Sequence, residues 1–254
     1  MKTEILIDAD ILLYKSTSAS EEAVNWEEDL WTMHCDMARV KSYIVDYVEE
    51  LREKINGDKI IMCLSHMNNF RKELNPLYKL NRKGTRKPMC FVPTKQYLID
   101  SFNTVTKPWI EADDVMGVLA SYKEEGVERV IVSEDKDLLT IPGLHWDAKM
   151  QVVFEQTQEL ADYQFFTQTL TGDSTDNYSG CKGVGPKKAE RLLESVLEIG
   201  GNESQYWDTI VSAYHDAGQT TEDALMNARM ARILRYGEYI QDQPLYWSPK
   251  NERG

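Results

Sequence analysis

The stretch Ile110-Glu111-Ala112-Asp113-Asp114-Val115 sets three carboxylates in four residues, directly ahead of an apolar helical run through Val115, Met116, Val118, Leu119 and Tyr122. Acids in a first helical turn suit the positive end of the helix dipole, so the stretch reads in one way as a plain cap. A second reading comes from further clusters: Asp8 and Asp10, then Glu134, Asp135 and Asp137, then Asp173 and Asp176. Carboxylates gathered in one place resist ionising together. A bound divalent cation relieves that repulsion, and ligands that are all oxygen select Mg²⁺ or Mn²⁺.

The chain order supports gathering. Glu4 to Asp8 reads as a short buried strand ending in an acid, as does Lys59 to Leu64 without one, and Arg129 to Ser133 delivers Glu134, Asp135 and Asp137. Ligands bind outside the carboxyl ends of strands in open α/β sheets. Trp26 to Lys54 carries Leu30, Met33, Met37, Val40, Ile44, Tyr47, Val48 and Leu51 at helical spacing, so one long helix is expected there. Thr94 to Phe102 is also expected to be helical, and Val115 to Glu125 should be a helix closed by Gly126. Gly143 to Trp146 and Gln151 to Glu155 suggest short strands. From about Thr157 the pattern turns helical. The expected division is an α/β body over residues 1–156, with a long basic excursion at about 65–93, and a helical part over 157–254.

At 254 residues and 42% hydrophobic, the chain can bury one sizeable core. No apolar run approaches the roughly 20 residues of a membrane helix, and the opening residues lack the pattern of a secretory signal. Cys35, Cys63, Cys90 and Cys181 are scattered, which fits reduced thiols and a cytoplasmic location. A net charge of −13 argues at first against a polyanionic partner, yet the cations are bunched. One bunch holds Arg71, Lys72, Lys79, Arg82, Lys83, Arg86 and Lys87, and the other holds Lys182, Lys187, Lys188 and Arg191.

Each bunch has a chemical reading. Tyr78, Lys79 and Arg82 could share a helical face, presenting an aromatic plane beside two phosphate-binding groups. The alternative is a solvated basic loop. Gly183, Gly185 and Pro186 permit a tight turn into a helix whose free N–H groups face a phosphate, with Lys182, Lys187 and Lys188 beside it. The alternative there is an ordinary glycine-rich helix start.

Taken together, these residues resemble the flap endonuclease/5′–3′ exonuclease family, and most closely its phage 5′–3′ exonucleases. The likeness is carried by Asp8, by Tyr78, Lys79, Asn81 and Arg82, and by Glu111, Asp113 and Asp114. It continues through Asp135 and Asp137, through Gly172, Asp173, Asp176 and Asn177, through Gly183 to Lys187, and through Met230 to Arg235. The resemblance implies an α/β, Rossmann-like (PIN-like), mostly parallel sheet under a helical arch, with a helix–three-turn–helix at about 173–195. It implies metal ligands at Asp8, Glu111, Asp113, Asp135, Asp137, Asp173 and Asp176. It places Tyr78, Lys79 and Arg82 in the arch, the two cations facing the scissile phosphate. Arg71, Lys83, Arg86, Lys87, Lys182, Gly183, Gly185, Lys187 and Lys188 are then candidates for gripping DNA.

The implied activity is hydrolysis of duplex DNA from 5′ ends, nicks or flaps, using two Mg²⁺ or Mn²⁺ ions. RNA–DNA hybrids as substrates, potassium at the Gly183 to Gly185 turn, a monomeric state and the host cytoplasm of a phage protein are further expectations. One position departs from the family: His66 stands where an Asp is usual, which leaves Asp10 as a candidate for the lost charge and Asp114 without an assigned role. Two rival readings remain at this point. Asp8 with Asp10, and Gly172, Asp173 and Asn177, mimic a haloacid-dehalogenase-type phosphatase, while His66 motivates a non-catalytic DNA-end binder.

Overall fold

A computed structural model describes residues 1–249 of the chain. Its centre is a six-stranded sheet of β1 (Lys2–Asp8), β4 (Lys59–Leu64), β5 (Thr104–Thr106), β6 (Val127–Val132), β7 (Gly143–Asp147) and β8 (Val152–Gln156), in the order β5-β4-β1-β6-β7-β8. All neighbours are parallel except β7 and β8, which form an antiparallel pair at one edge. β1 and β4 are almost wholly buried because the sheet is covered on both faces, and continuous apolar runs are what such strands require. One face packs on α1 (Ala9–Ala19), α2 (Met37–Ile55) and α4 (Phe91–Ser101). The other packs on α3 (Phe70–Leu74), α5 (Ala112–Ser121) and the Ile233–Leu234 segment.

The helical remainder comprises α6 (Gln158–Thr171), α7 (Pro186–Glu198), α8 (Glu203–Asp216) and α9 (Thr221–Ala231), around a core of Phe165, Phe166, Tyr206, Tyr214 and Trp247. Between α6 and α7 a small ladder of β9 (Gly172–Asp173) and β10 (Tyr178–Ser179) closes a turn, and β11 (Tyr239–Ile240) pairs with β12 (Gln243–Pro244) near the end. Among the described residues no helix is long and apolar enough to cross a membrane.

Three expectations about elements fail. The basic excursion is not a helical arch: after α3, residues 75–90 hold no α-helix and only a 3₁₀ turn over Leu80–Arg82. Trp26 to Lys54 is not one helix: β2 (Glu21–Glu27) and β3 (Leu30–Cys35) form an antiparallel ribbon turned at Glu28 and Asp29, and α2 starts only at Met37. The start is set by Asp36, whose carboxylate accepts the Ala38 N–H at 2.8 Å. Leu30 and Met33 match the helical stripe by spacing alone, because Val24, Trp26, Trp31 and Thr32 favour strand. The helix before Gly126 begins at Ala112 and ends at Ser121 rather than Glu125, since Arg129 takes the Tyr122 carbonyl at 3.0 Å and Glu124 bridges to Val127.

Candidate active site

Asp8 ends β1 and caps α1: one carboxylate oxygen accepts the Ile11 N–H at 3.1 Å, and the other accepts the Ser133 hydroxyl at 3.0 Å. Burial, with Asp10 and Asp135 nearby, pushes its pKa up to about 6. Asp113, in the first turn of α5, is held well above the usual carboxylate range by burial and by the charges of Asp8, Asp135 and Glu111. Asp135 caps a short 3₁₀ turn over Lys136–Thr140 by accepting the Asp137 N–H at 2.9 Å. Asp137 is raised to about 6 by burial and by Asp135; Gln168 of α6 donates to its Oδ2 at 2.8 Å, and its buried Oδ1 makes no hydrogen bond, with the exposed Lys136 ammonium 3.5 Å away. These acids come from distant parts of the chain and feel each other's charge.

A second group lies beside them, drawn together by residues 77–82. Tyr78 Oη lies 2.8 Å from Glu111 Oε2 and 2.9 Å from Asp176 Oδ2. Lys79 donates to Glu111 at 2.7 Å and stands 3.5 Å from Asp176, while Arg82 donates to Asp176. Burial alone would raise Glu111, but Lys79 first and Arg71 second hold it down at about 2. Backbone contacts fix the arrangement. Lys79 N–H donates to the Asp176 carbonyl at 2.9 Å, Asn81 to the Thr175 carbonyl at 3.2 Å, and Asn177 to the Leu77 carbonyl at 2.7 Å. Asp173 organises the same turn by accepting N–H groups from Thr175 and Asp176.

Several expected roles change. Tyr78, Lys79 and Arg82 do not share a helical face: Lys79 has φ +53° and only Leu80–Arg82 forms a 3₁₀ turn. Tyr78 is 4% exposed, so it offers no open ring for a base; its hydroxyl serves the two carboxylates instead. Arg71 is buried too. Its guanidinium binds both Asp114 oxygens at 2.7 and 2.8 Å and the carbonyls of Met230 and Arg232, which removes it from any DNA surface and gives Asp114 its role. Arg86 is committed to Glu21, and Lys87 lies 4.7 Å over the Phe91 ring. Lys83 is exposed, as are Lys182, Gly183, Gly185, Lys187 and Lys188 around the start of α7, where Gly183 has φ +70° and Pro186 is the first helical residue.

His66 Nδ1 accepts the Asn68 and Trp109 N–H groups at 3.2 and 3.3 Å, so it pins a loop. Asp10 accepts the Ser65 N–H at 3.1 Å, which ties α1 to the end of β4. Glu111 and Asp114 also form a reciprocal cap at the start of α5, so the plain capping reading and the acidic-site reading hold together. Sequence reasoning passed over Ser133 and Gln168, which orient Asp8 and Asp137. A Ser directly ahead of Glu134 was the available signal for the first; nothing in the local pattern singles out Gln168.

Among the described residues, no group of three or more His, Cys, Asp or Glu side chains is drawn closely enough around one point to enclose an ion as the side chains stand. The donor set nonetheless fits a hard cation. It is all oxygen, it includes the buried Asp137 Oδ1 that no hydrogen bond satisfies, and Asp8, Asp113 and Asp137 are each raised in part by another carboxylate.

Residues 3–168 match the family model described as the 5′–3′ exonuclease, N-terminal resolvase-like domain. The chain belongs to the 5′–3′ exonuclease family. The exodeoxyribonuclease of Enterobacteria phage T3 is 36% identical across 97% of this chain and 93% of its own length. The exonuclease of Escherichia phage T7 is 35% identical across 96% and 93%. A solved bacteriophage T5 flap endonuclease, crystallised as a pseudo-enzyme–product complex with DNA and metal ions, shares the fold with a TM-score of 0.64. It is 16% identical, with 91% of this chain and 89% of that one covered. Neither rival reading finds support in a 5′–3′ exonuclease of this kind. The phosphatase reading leaves Glu111, Lys79 and Arg82 without a part, and the end-binder reading rested on His66, which is structural.

Proposed function

We propose that the chain is a divalent-metal-dependent 5′–3′ exonuclease that hydrolyses phosphodiester bonds of duplex DNA from 5′ ends, nicks or flaps. The observation that carries this reading is the meeting of Lys79 and Arg82 with Glu111 and Asp176 beside the Asp8, Asp113, Asp135 and Asp137 group. Asp8, Glu111, Asp113, Asp135, Asp137, Asp173 and Asp176 would hold two Mg²⁺ or Mn²⁺ ions. When bound, the ions supply positive charge that polarises the phosphate and acidifies the attacking water.

The chain's own residues do the rest. Ser133 and Gln168 orient Asp8 and Asp137, so the carboxylates need little rearrangement. Lys79 and Arg82 exchange a carboxylate for the scissile phosphate and neutralise charge developing there. Lys182, Lys187 and Lys188, around the N–H groups opening α7, hold the duplex backbone, with potassium at the Gly183 to Gly185 turn. RNA–DNA hybrids fit the same backbone-directed grip, the chain acts as a monomer, and its place of action is the cytoplasm, the host's for a phage protein.

The test is a product-length ladder from 5′-labelled flapped, nicked and blunt duplexes in Mg²⁺. Short 5′-phosphorylated products that vanish with chelator support the reading. Products shortened from the 3′ end, or cleavage that survives chelation, overturn it.

A further inference from the structure

The ribbon of β2 and β3 takes no part in the carboxylate site, and its composition is unusual for a surface element. Its two strands pair with each other and with no other strand. Trp26, Leu30, Trp31 and Met33 are 59, 57, 60 and 41% exposed. The register sets Trp31 opposite Asn25 and Met33 opposite Ala23 on one face. Trp26 stands on the other face, its indole N–H donating to Thr32 at 2.7 Å and its ring meeting His34 edge-on. Large apolar side chains clustered in water mark interaction surfaces, and a lone two-stranded ribbon gains little stability by itself.

The charge at the tip narrows the occupant. Glu27, Glu28 and Asp29 are all exposed and enter no ion pair among the described residues, while Glu22 on the shaft has Arg39 at 3.6 Å. A nucleic-acid strand stacking on either tryptophan would bring its phosphates against these acids, and an anionic lipid surface would meet the same repulsion. A face carrying Lys or Arg among apolar side chains meets attraction on both counts.

We propose that the β2–β3 ribbon is a docking element for a protein partner with a basic, apolar face, gripped by Trp31 and Met33 on one face of the ribbon while Glu27, Glu28 and Asp29 at the tip pair with its cations. Exposed tryptophans are the side chains best suited to anchor such a contact, and the acids steer the approach. This inference stands apart from the nuclease reading, since no ribbon side chain named in it touches the carboxylate site.

The test uses the full chain with two synthetic helical peptides of equal length, one of leucine and lysine and one of leucine and glutamate. The cationic peptide binds, and the anionic one does not. Trp31→Ser with Met33→Ser weakens the cationic peptide at least tenfold. Glu27→Gln, Glu28→Gln and Asp29→Asn together weaken it and flatten its salt dependence, leaving Trp31 and Met33 in place should the first variant disturb the ribbon. Glu49→Gln with Glu50→Gln, on the exposed side of α2, leaves binding unchanged, and cleavage of labelled duplex is unchanged in every variant. Full peptide affinity in the ribbon variants overturns the proposal, as does an equal loss in the α2 variant. Weakened single-stranded DNA binding in the tryptophan variant assigns the ribbon to DNA and overturns it; a dimer that the same variant dissolves assigns it to a second copy, with the same consequence.

Discussion

Arg71 and Asp114 face each other as a two-point pair, NH1 to Oδ2 at 2.7 Å and NH2 to Oδ1 at 2.8 Å, with both side chains out of contact with water. The pair is also a joint. Asp114 Oδ1 accepts the Leu234 N–H at 3.1 Å, and Arg71 takes the carbonyls of Met230 and Arg232, so the sheet body and the helical part are fastened at one point beside Glu111.

Removing one partner strands the other's charge in the interior. Asp114→Asn is expected to destabilise the fold by about 3–5 kcal/mol, and Arg71→Met by a similar amount. Arg71→Lys should recover only part of the loss, because an ammonium cannot span both oxygens. Urea denaturation checks all three, and full stability of Arg71→Lys would show that charge alone matters.

Asp135→Asn is expected to lose cleavage by orders of magnitude while retaining duplex binding. Asp135 caps the 3₁₀ turn through an oxygen that an amide keeps, so the fold should survive. Single-turnover cleavage and a binding isotherm separate the two effects; an unchanged rate removes Asp135 from the chemistry.

Lys79→Ala should slow cleavage by roughly 10²–10³-fold and make the salt dependence of binding shallower. The ammonium also lowers Glu111, so the variant should move Glu111 toward its ordinary value. An identical salt slope in the variant would contradict phosphate contact at this position.

The acid pair Asp8 and Asp137, each raised to about 6, sets a pH signature in chelator. A carboxyl whose folded pKa exceeds its unfolded value of 3.8 binds more protons folded than unfolded between the two. Its contribution is therefore greatest at low pH and fades as pH climbs from about 4 to about 6. Glu111, lowered to about 2, works the other way and loses its contribution as pH falls from 4.5. Thermal midpoints across this range, with and without Mg²⁺, check the sign: the decline above pH about 4 should shrink once metal offsets the repulsion.

Gly117→Ala should cost about 1–3 kcal/mol, because a Cβ there would stand 2.3 Å from the Leu234 carbonyl oxygen. The same change should loosen the Arg71–Asp114 joint, read as faster amide exchange at Leu234.

Much of this was legible in the residues and some was not. The buried strands were readable because both faces of the sheet are covered, so β1, β4 and β6 carry apolar runs, Ile5 to Ile7, Ile60 to Leu64 and Val130 to Val132. The ribbon was missed because Leu30, Met33 and Met37 fall at helical spacing, while its defining property, exposure of both faces, leaves no periodic trace. The acidic positions stood out as clusters. The inward turn of Tyr78 and Arg71 did not, since neither aromatic nor cationic type reveals a partner 33 or 43 residues away.

The strip from Leu77 to Arg82 is stitched to the Ser174 to Asn177 turn, and Asp114 waits for Leu234 to complete its bonds. The acids delivered by the sheet are therefore not a finished centre until segments far downstream have folded back onto them, so completion of the site trails completion of the sheet.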